Sequence, residues 1–114
     1  MLDLLNQLSK IDYENLDIDE LLEQRECNPF DCEWMRVYQA IEALKVNQEV
    51  DDTTEIREKA FMIVYEQSGS DELAGYVSDD FGLIADSKSL HYSDKWLTKL
   101  IVCYQKATIP CGEL

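Results

Sequence analysis

The chain has 114 residues, of which 24 are acidic and 10 basic, so its formal net charge is −14. A chain of this length forms one domain around one core, and a hydrophobic fraction of 46% supplies enough apolar material to close that core. The acidity argues against direct binding to nucleic acid, because the phosphate backbone demands a basic surface.

Hydrophobic residues at helical spacing predict three helices in the first half of the chain. The first helix carries one apolar stripe, formed by Met1, Leu4, Leu5 and Leu8. Asp17, with Glu20 three residues later, predicts the start of the second helix, which ends before Asn28-Pro29. The third helix is predicted to be capped by Asp31 and to run to about Lys45. Its apolar face is predicted to comprise Trp34, Val37, Tyr38, Ile41 and Leu44.

The fourth helix follows a polar loop over residues 47–52. Asp52 and Glu55 have the spacing of a capping box and predict its start, and Gly69 predicts its end. Residues 60–65 are apolar nearly all round, which indicates a central helix that is buried on several sides.

Serine caps predict the remaining helices. Ser70 starts the fifth helix, and Ser93 starts the last one, which must end before Pro110. The aromatic residues on apolar stripes are assigned to core packing, namely Trp34, Tyr38, Trp96 and Tyr104. The predicted fold class is therefore all-α, a single compact domain over residues 1–114 with five or six short amphipathic helices.

The sequence predicts a cytoplasmic protein without metal or cofactor. No apolar run reaches the roughly 18 residues of a membrane span, and the first residues lack the pattern of an export signal. In a reducing compartment the default for the four cysteines is free thiols. Cys103 and Cys111 are too far apart for an ordinary structural zinc site, whereas pairing of Cys27 with Cys32 is left open.

Acidic residues are concentrated in the first half of the chain. Between Asp12 and Glu33 there are nine acidic residues and one basic residue, Arg25. On the second helix Arg25 shares the apolar face with Leu21 and Leu22. The acidic residues of that helix lie on the opposite arc, namely Asp19, Glu20, Glu23 and Glu26. This arrangement predicts an exposed acidic surface.

Motifs for catalysis are absent, with one partial exception. Glu23-x-x-Glu26 followed by Glu49-x-x-Asp52 resembles in outline the paired acidic motifs of all-α nucleoside triphosphate pyrophosphatases. The resemblance implies carboxylates that project from helices and hold magnesium against the phosphates of a substrate. The second pair falls in the predicted loop and no lysine cluster accompanies it, so we expect that the protein is not an enzyme.

The leading hypothesis is a small binding protein that occludes a basic macromolecular site. Its most concrete form is an immunity or antitoxin-like inhibitor of a nuclease toxin, whose cleft must be positive to hold nucleic acid. The predicted contacts are seven acidic residues and two exposed aromatic anchors. They are Asp17, Asp19, Glu20, Glu23, Glu26, Asp31 and Glu33, with Tyr13 and Phe30 as the anchors.

Two other functions remain open. One is a regulatory or scaffolding module for protein interaction, in which the acidic surface only keeps the protein in solution. The other is a nucleic-acid mimic that inhibits a host-defence enzyme, which would require carboxylates spaced like phosphates along an elongated surface. In each case the expected partner is a protein.

Overall fold

The computed structural model describes all 114 residues and contains α-helices, one short 3₁₀ helix and no strand. The predicted all-α class with five or six helices is confirmed. The elements are α1 (Leu2–Leu8), the 3₁₀ helix (Tyr13–Asn15), α2 (Ile18–Glu26), α3 (Phe30–Lys45), α4 (Thr54–Ser68), α5 (Asp71–Ser89) and α6 (Lys95–Gln105). None of the helices is both long and apolar enough to cross a membrane.

Helix α5 is the central element of the fold. It contributes ten buried residues and packs most extensively against α4, with further contacts to α2 and α3. The α4–α5 hairpin turns at Gly69, whose φ of +71° lies in the left-handed region that favours glycine. The Gly69 N–H donates to the Tyr65 carbonyl at 2.9 Å, which satisfies one of the free acceptors at the end of α4.

One hydrophobic cluster of 24 buried residues joins all the helices. Helix α1 contributes Leu4, Leu5 and Leu8 and packs against α4 and α6. The aromatic core residues predicted at Trp96 and Tyr104 are confirmed, and Trp34 is partly buried against the cluster. Tyr38 is different, because 39% of it is exposed and the prediction that it lies in the core is wrong.

Two of the predicted helix caps are confirmed. The Asp17 carboxylate accepts the Glu20 N–H at 3.1 Å at the start of α2. The Ser70 hydroxyl oxygen accepts the Leu73 N–H at 3.2 Å at the start of α5. Helix α2 ends at Glu26, before Asn28 and Pro29 as predicted. Local side-chain chemistry therefore specifies the start of both helices.

The other three predicted caps are each wrong by one or two positions. Helix α3 begins at Phe30 after Pro29, so Asp31 lies within its first turn. Helix α6 is capped by Asp94 instead of Ser93, since the Asp94 carboxylate accepts the Leu97 N–H at 3.0 Å. The residue before α4 is Thr53 instead of Asp52. The Asp52 carboxylate still accepts both the N–H and the hydroxyl of Thr54 at 2.9 and 2.7 Å.

The prediction that α4 is buried on several sides is also wrong. Ala60 and Val64 are buried, whereas Met62 and Tyr65 are 50% and 45% exposed. Helix α4 packs against α5, α1 and the 3₁₀ helix on one side, and its other side is exposed. The apolar residues on its outer face are therefore in contact with solvent.

Candidate functional site

The acidic half of the chain is anchored by a buried ion pair. The guanidinium of Arg25 on α2 donates to the carboxylate of Asp80 on α5 through both terminal nitrogens, at 2.7 and 2.9 Å. Both side chains are almost completely buried. Such a two-point contact fixes distance and orientation together, so it sets how α2 lies on the rest of the bundle.

The Asp80 carboxylate is shared by three helices. It accepts the Trp34 indole N–H at 2.9 Å from α3 and the Tyr104 hydroxyl from α6, in addition to the two bonds from Arg25. Burial together with the charge of Asp80 raises the pKa of Tyr104 well above its usual value, so this hydroxyl remains a donor at neutral pH. The Asp80 carboxylate thus has a donor from α2, α3 and α6 at the centre of the fold.

Aromatic rings complete the surroundings of Arg25. Its guanidinium carbon lies 4.5 Å from the ring centre of Phe30 and 5.2 Å from that of Tyr76, and one terminal nitrogen donates to the Pro110 carbonyl at 2.9 Å. Burial opposes the charged form of Arg25, but Asp80 outweighs it and raises the pKa of the guanidinium. The Nε atom alone has no hydrogen-bond partner.

Because Arg25 points inward, the outer face of α2 carries only negative charge. Five acidic side chains of this segment are exposed, namely Asp17, Asp19, Glu20, Glu23 and Glu26. Glu20 accepts a hydrogen bond from Gln24, and Glu26 accepts one from the Tyr76 hydroxyl at 2.8 Å. That bond, together with burial, raises the pKa of Tyr76 to about 12. No ion pair neutralises any of the five carboxylates.

The first turn of α3 extends this acidic surface with two further carboxylates. Asp31 is exposed, and Glu33 is half-buried and pairs with Arg36 at 2.9 Å. Arg36 also reaches Asp94 at the start of α6, at 2.8 Å. Glu33 is therefore partly neutralised, whereas Asp31 is not. The structure brings the seven predicted acidic residues onto two consecutive elements, and their contact with a partner stays a prediction.

The predicted aromatic anchors are not on the surface. Tyr13 is 7% exposed, and its hydroxyl donates to the Leu8 carbonyl at 2.9 Å. Burial raises its pKa to about 12. Phe30 is 2% exposed and packs edge-on against Trp96, with ring centres 5.2 Å apart. The expectation that these two rings are exposed is wrong, because both belong to the hydrophobic cluster.

Two other apolar side chains are exposed beside the acidic surface. Met35 and Tyr38, on the outer side of α3, are each 39% exposed. A small cleft of about 180 Å³ lies between α3 and α5 next to the end of α2, lined in part by Asp31, Met35 and Tyr76. Residue spacing alone missed this pair, because Tyr38 fits the apolar stripe of α3 as well as the buried Val37 does.

The four carboxylates that resemble the pyrophosphatase motif do not form a metal centre. Glu23 and Glu26 lie on α2, whereas Glu49 and Asp52 lie in the loop between α3 and α4, as predicted. No group of three or more histidine, cysteine, aspartate and glutamate side chains is arranged to hold a metal ion. The resemblance is therefore limited to sequence spacing.

All four cysteines are free thiols in the structure. Cys27 and Cys32 are exposed on either side of the α2–α3 junction, and no disulfide joins them. Cys103 and Cys111 are half-buried, and burial is the main cause that raises the pKa of both thiols. A raised pKa lowers the thiolate fraction at neutral pH, which makes these two sulfur atoms poor nucleophiles.

Fold and surface together define a small acidic helical protein. Its exposed carboxylates lie on a helix that a buried ion pair, Arg25 with Asp80, joins to the core. In a comparison with protein families, the family model described as immunity protein PIM1 matches residues 2–111 of the chain. The chain belongs to this family, and membership in a family of immunity proteins implies a protein partner. No curated protein and no solved structure matches the chain.

Proposed function

We propose that this protein is a non-enzymatic inhibitor of a toxin, and that the toxin is a nuclease whose basic cleft it occludes. Family membership supports the immunity role. The observation that carries the proposal further is the outer face of α2, where five exposed carboxylates have no cation to neutralise them. A nuclease cleft is positive because it holds phosphates, so its surface is complementary to this one.

The mechanism is occlusion of the cleft. Carboxylates of α2 and of the first turn of α3 take the positions that substrate phosphates occupy, and the nucleic acid is then excluded. The residues in this role are Asp17, Asp19, Glu20, Glu23, Glu26, Asp31 and Glu33. Complementary charge also raises association rates by roughly 10- to 1000-fold, which favours capture of the toxin before it acts.

The inward orientation of Arg25 supports this mechanism. A positive side chain on the outer face of α2 would oppose the approach of a basic cleft. Arg25, the only basic residue between Asp12 and Glu33, instead forms an ion pair with Asp80 inside the core. The charge that faces the partner is therefore of one sign across the whole of α2.

The experiment uses a candidate nuclease toxin, such as one encoded beside the gene for this chain, in a catalytically inactive form. A fluorescent oligonucleotide bound to that toxin reports on its cleft by anisotropy. We expect one equivalent of the protein to displace the oligonucleotide and, with active toxin, to abolish cleavage. A complex that retains the oligonucleotide would show inhibition away from the cleft. The absence of any complex would favour the regulatory or scaffolding module instead.

A further inference from the structure

A second, larger groove lies between α3 and α5 and is also lined by the loop that joins α3 to α4 and by Arg57 of α4. Its volume is about 630 Å³. On the α3 side its wall is aromatic, because Trp34 and Tyr38 stack with ring centres 5.5 Å apart and planes 17° apart. Trp34 is held in place by its hydrogen bond to Asp80. The exposed ring of Tyr38 is thus backed by a fixed ring.

The charged residues of this groove are mostly acidic. Five carboxylates line it, from Glu42, Asp51, Asp52, Asp79 and Asp86, against two cations. Both cations are already paired. Lys45 lies 2.7 Å from Asp86 and 2.9 Å from Glu42, and Arg57 lies 2.9 Å from Asp79. The groove therefore has an excess of three negative charges and no free cation.

A similar pair of exposed side chains on α4 shows that the excess of negative charge is particular to this groove. Met62 and Tyr65 on α4 have the same spacing as Met35 and Tyr38, and both are exposed. Tyr65 stacks on Phe61, four residues before it, as Tyr38 stacks on Trp34. The pocket beside the α4 pair holds one carboxylate, Glu58, and one cation. The two sites thus share their apolar chemistry and differ in charge.

The combination of a stacked aromatic wall with excess carboxylates selects the chemistry of an occupant. Anions and nucleic acid are repelled, and an apolar side chain would leave the carboxylates without partners. A cation is attracted by the face of an aromatic ring and by carboxylates at the same time. Arginine and lysine side chains have both the charge and an apolar stem that packs on such a ring.

We infer that the groove between α3 and α5 receives a cationic side chain of the protein partner, which packs on Tyr38 and Met35 and is paired by the surrounding carboxylates. The inference rests on the proposed function for the identity of that partner. The groove adjoins the acidic surface of α2, since Trp34, Met35 and Asp79 line both it and the smaller cleft beside α2. The two surfaces would then form one interface, with the groove as its anchor.

The first test does not need the toxin. Hexa-arginine peptide is titrated into the protein at low salt while tryptophan fluorescence is recorded. Trp96 is buried, whereas Trp34 lines both this groove and the smaller cleft beside α2, so a change reports on this side of the molecule and the Tyr38 variants assign it to the groove. We expect saturable binding that Tyr38→Phe preserves within about 3-fold and that Tyr38→Leu weakens by about 10-fold, because leucine has no aromatic face. Tyr65→Leu is the matched control and should leave binding unchanged. Equal binding by the Tyr38→Leu and Tyr38→Phe variants would overturn the inference.

The second test uses the same candidate toxin. Met35→Ala combined with Tyr38→Ala should weaken the complex by about 100-fold, as for anchors at the centre of an interface. Met62→Ala combined with Tyr65→Ala should change it by less than about 3-fold. Circular dichroism checks that both variants are folded. If both double variants bind like the wild type, the groove is not the anchor although the proposed function stands. If the wild type does not bind the toxin, the proposed function fails and the peptide titration alone decides the role of the groove.

Neutralising the free carboxylates gives an independent check on charge. Asp51→Asn with Asp52→Asn removes two charges that form no ion pair, and asparagine retains the ability to accept the Thr54 N–H. We expect slower association with the toxin and a shallower dependence on salt. An unchanged salt dependence, with normal binding of hexa-arginine, would show that Asp51 and Asp52 do not pair with the cationic side chain and would contradict this part of the inference.

Discussion

Arg25 and Asp80 are 55 residues apart in the chain and form a doubly hydrogen-bonded ion pair between α2 and α5. Two more donors, the Trp34 indole and the Tyr104 hydroxyl, converge on the same carboxylate from α3 and α6. A buried pair is costly to form because both charges lose water. Here the lost hydration of Asp80 is replaced by four hydrogen bonds from protein donors.

Breaking this ion pair should destabilise the protein strongly. We expect Asp80→Asn or Arg25→Met to lower the free energy of unfolding by about 3–5 kcal/mol, because each leaves a buried charge without its partner. The double variant Arg25→Met with Asp80→Leu should lose less than the sum of the single variants. Urea unfolding followed by circular dichroism measures all of them. Single variants that each cost less than about 1 kcal/mol would show that the pair contributes little.

Removal of one hydroxyl tests the network at finer scale. Tyr104→Phe deletes only the donor to Asp80, and we expect a loss of about 1–3 kcal/mol in the free energy of unfolding. Tyr38→Phe is the matched control. The Tyr38 side chain is exposed and its hydroxyl bonds to no other group of the protein. The free energy of unfolding of this variant should therefore stay within about 0.5 kcal/mol of the wild-type value. Equal effects of the two changes would contradict the assigned role of Tyr104.

The cap of α6 should show a pH dependence. Hydrogen bonds from Arg36 are the main cause that lowers the pKa of Asp94 below its ordinary value of 3.8. A group with a lowered folded-state pKa stabilises the protein above its unfolded pKa, and this contribution is lost as the pH falls through the folded value. The difference in unfolding free energy between wild type and Asp94→Asn should therefore narrow below pH 3.8.

Two substitutions of Asp94 distinguish, at neutral pH, the stability that comes from capping α6 from the stability that comes from the ion pair with Arg36. Asparagine caps a helix about as well as aspartate, so Asp94→Asn mainly removes the contact with Arg36, an exposed pair worth about 0–1 kcal/mol. Asp94→Ala also removes the cap and should cost about 1 kcal/mol more. Thermal unfolding of the three proteins gives both differences. Equal melting of the alanine and asparagine variants would mean that Asp94 does not stabilise the start of α6.

The acidic face of α2 should control the rate of association with the toxin. We expect Asp19→Lys combined with Glu23→Lys to slow binding by about 10-fold or more, because both side chains are exposed and contribute to steering. Glu66→Lys, an exposed reversal near the end of α4, should have far less effect. Association rates measured across a salt series separate the two. If the double reversal leaves rate and salt slope unchanged, the face is only a solvated surface.

The sequence predicted the helices well because their periodicity is local. Confirmed caps such as Asp17 and Ser70 depend only on residues within one turn. The start of α6 could not be chosen locally, since Ser93 and Asp94 are both good caps. Asp94 is held by Arg36, which lies 58 residues earlier in the chain. Distant packing decides between two locally equal candidates.

The site was predicted in part for the same reason. Periodicity placed the acidic side chains of α2 outside and Arg25 inside, and the structure agrees. Which helices cover α3 cannot be derived from its own stripe, so the pattern wrongly predicts Tyr38 in the core. Phe30 is predicted to be exposed because it follows Asn28-Pro29 in the break between two acidic helices, whereas it is the first residue of α3. The sequence does contain a sign of the buried ion pair, because Asp80 occupies an apolar position of α5 between Val77 and Ile84. A lone acidic residue on one apolar face and a lone basic residue on another suggest a buried ion pair.

The inward orientation of Arg25 also affects how copies of this protein meet one another. Two molecules that approached through α2 would bring like charges together with no cation on either side to bridge them. Such a contact is repulsive, so like charge opposes self-association through this face, most strongly at low salt. We therefore expect the acidic face of α2 to stay free of contacts between copies of this protein.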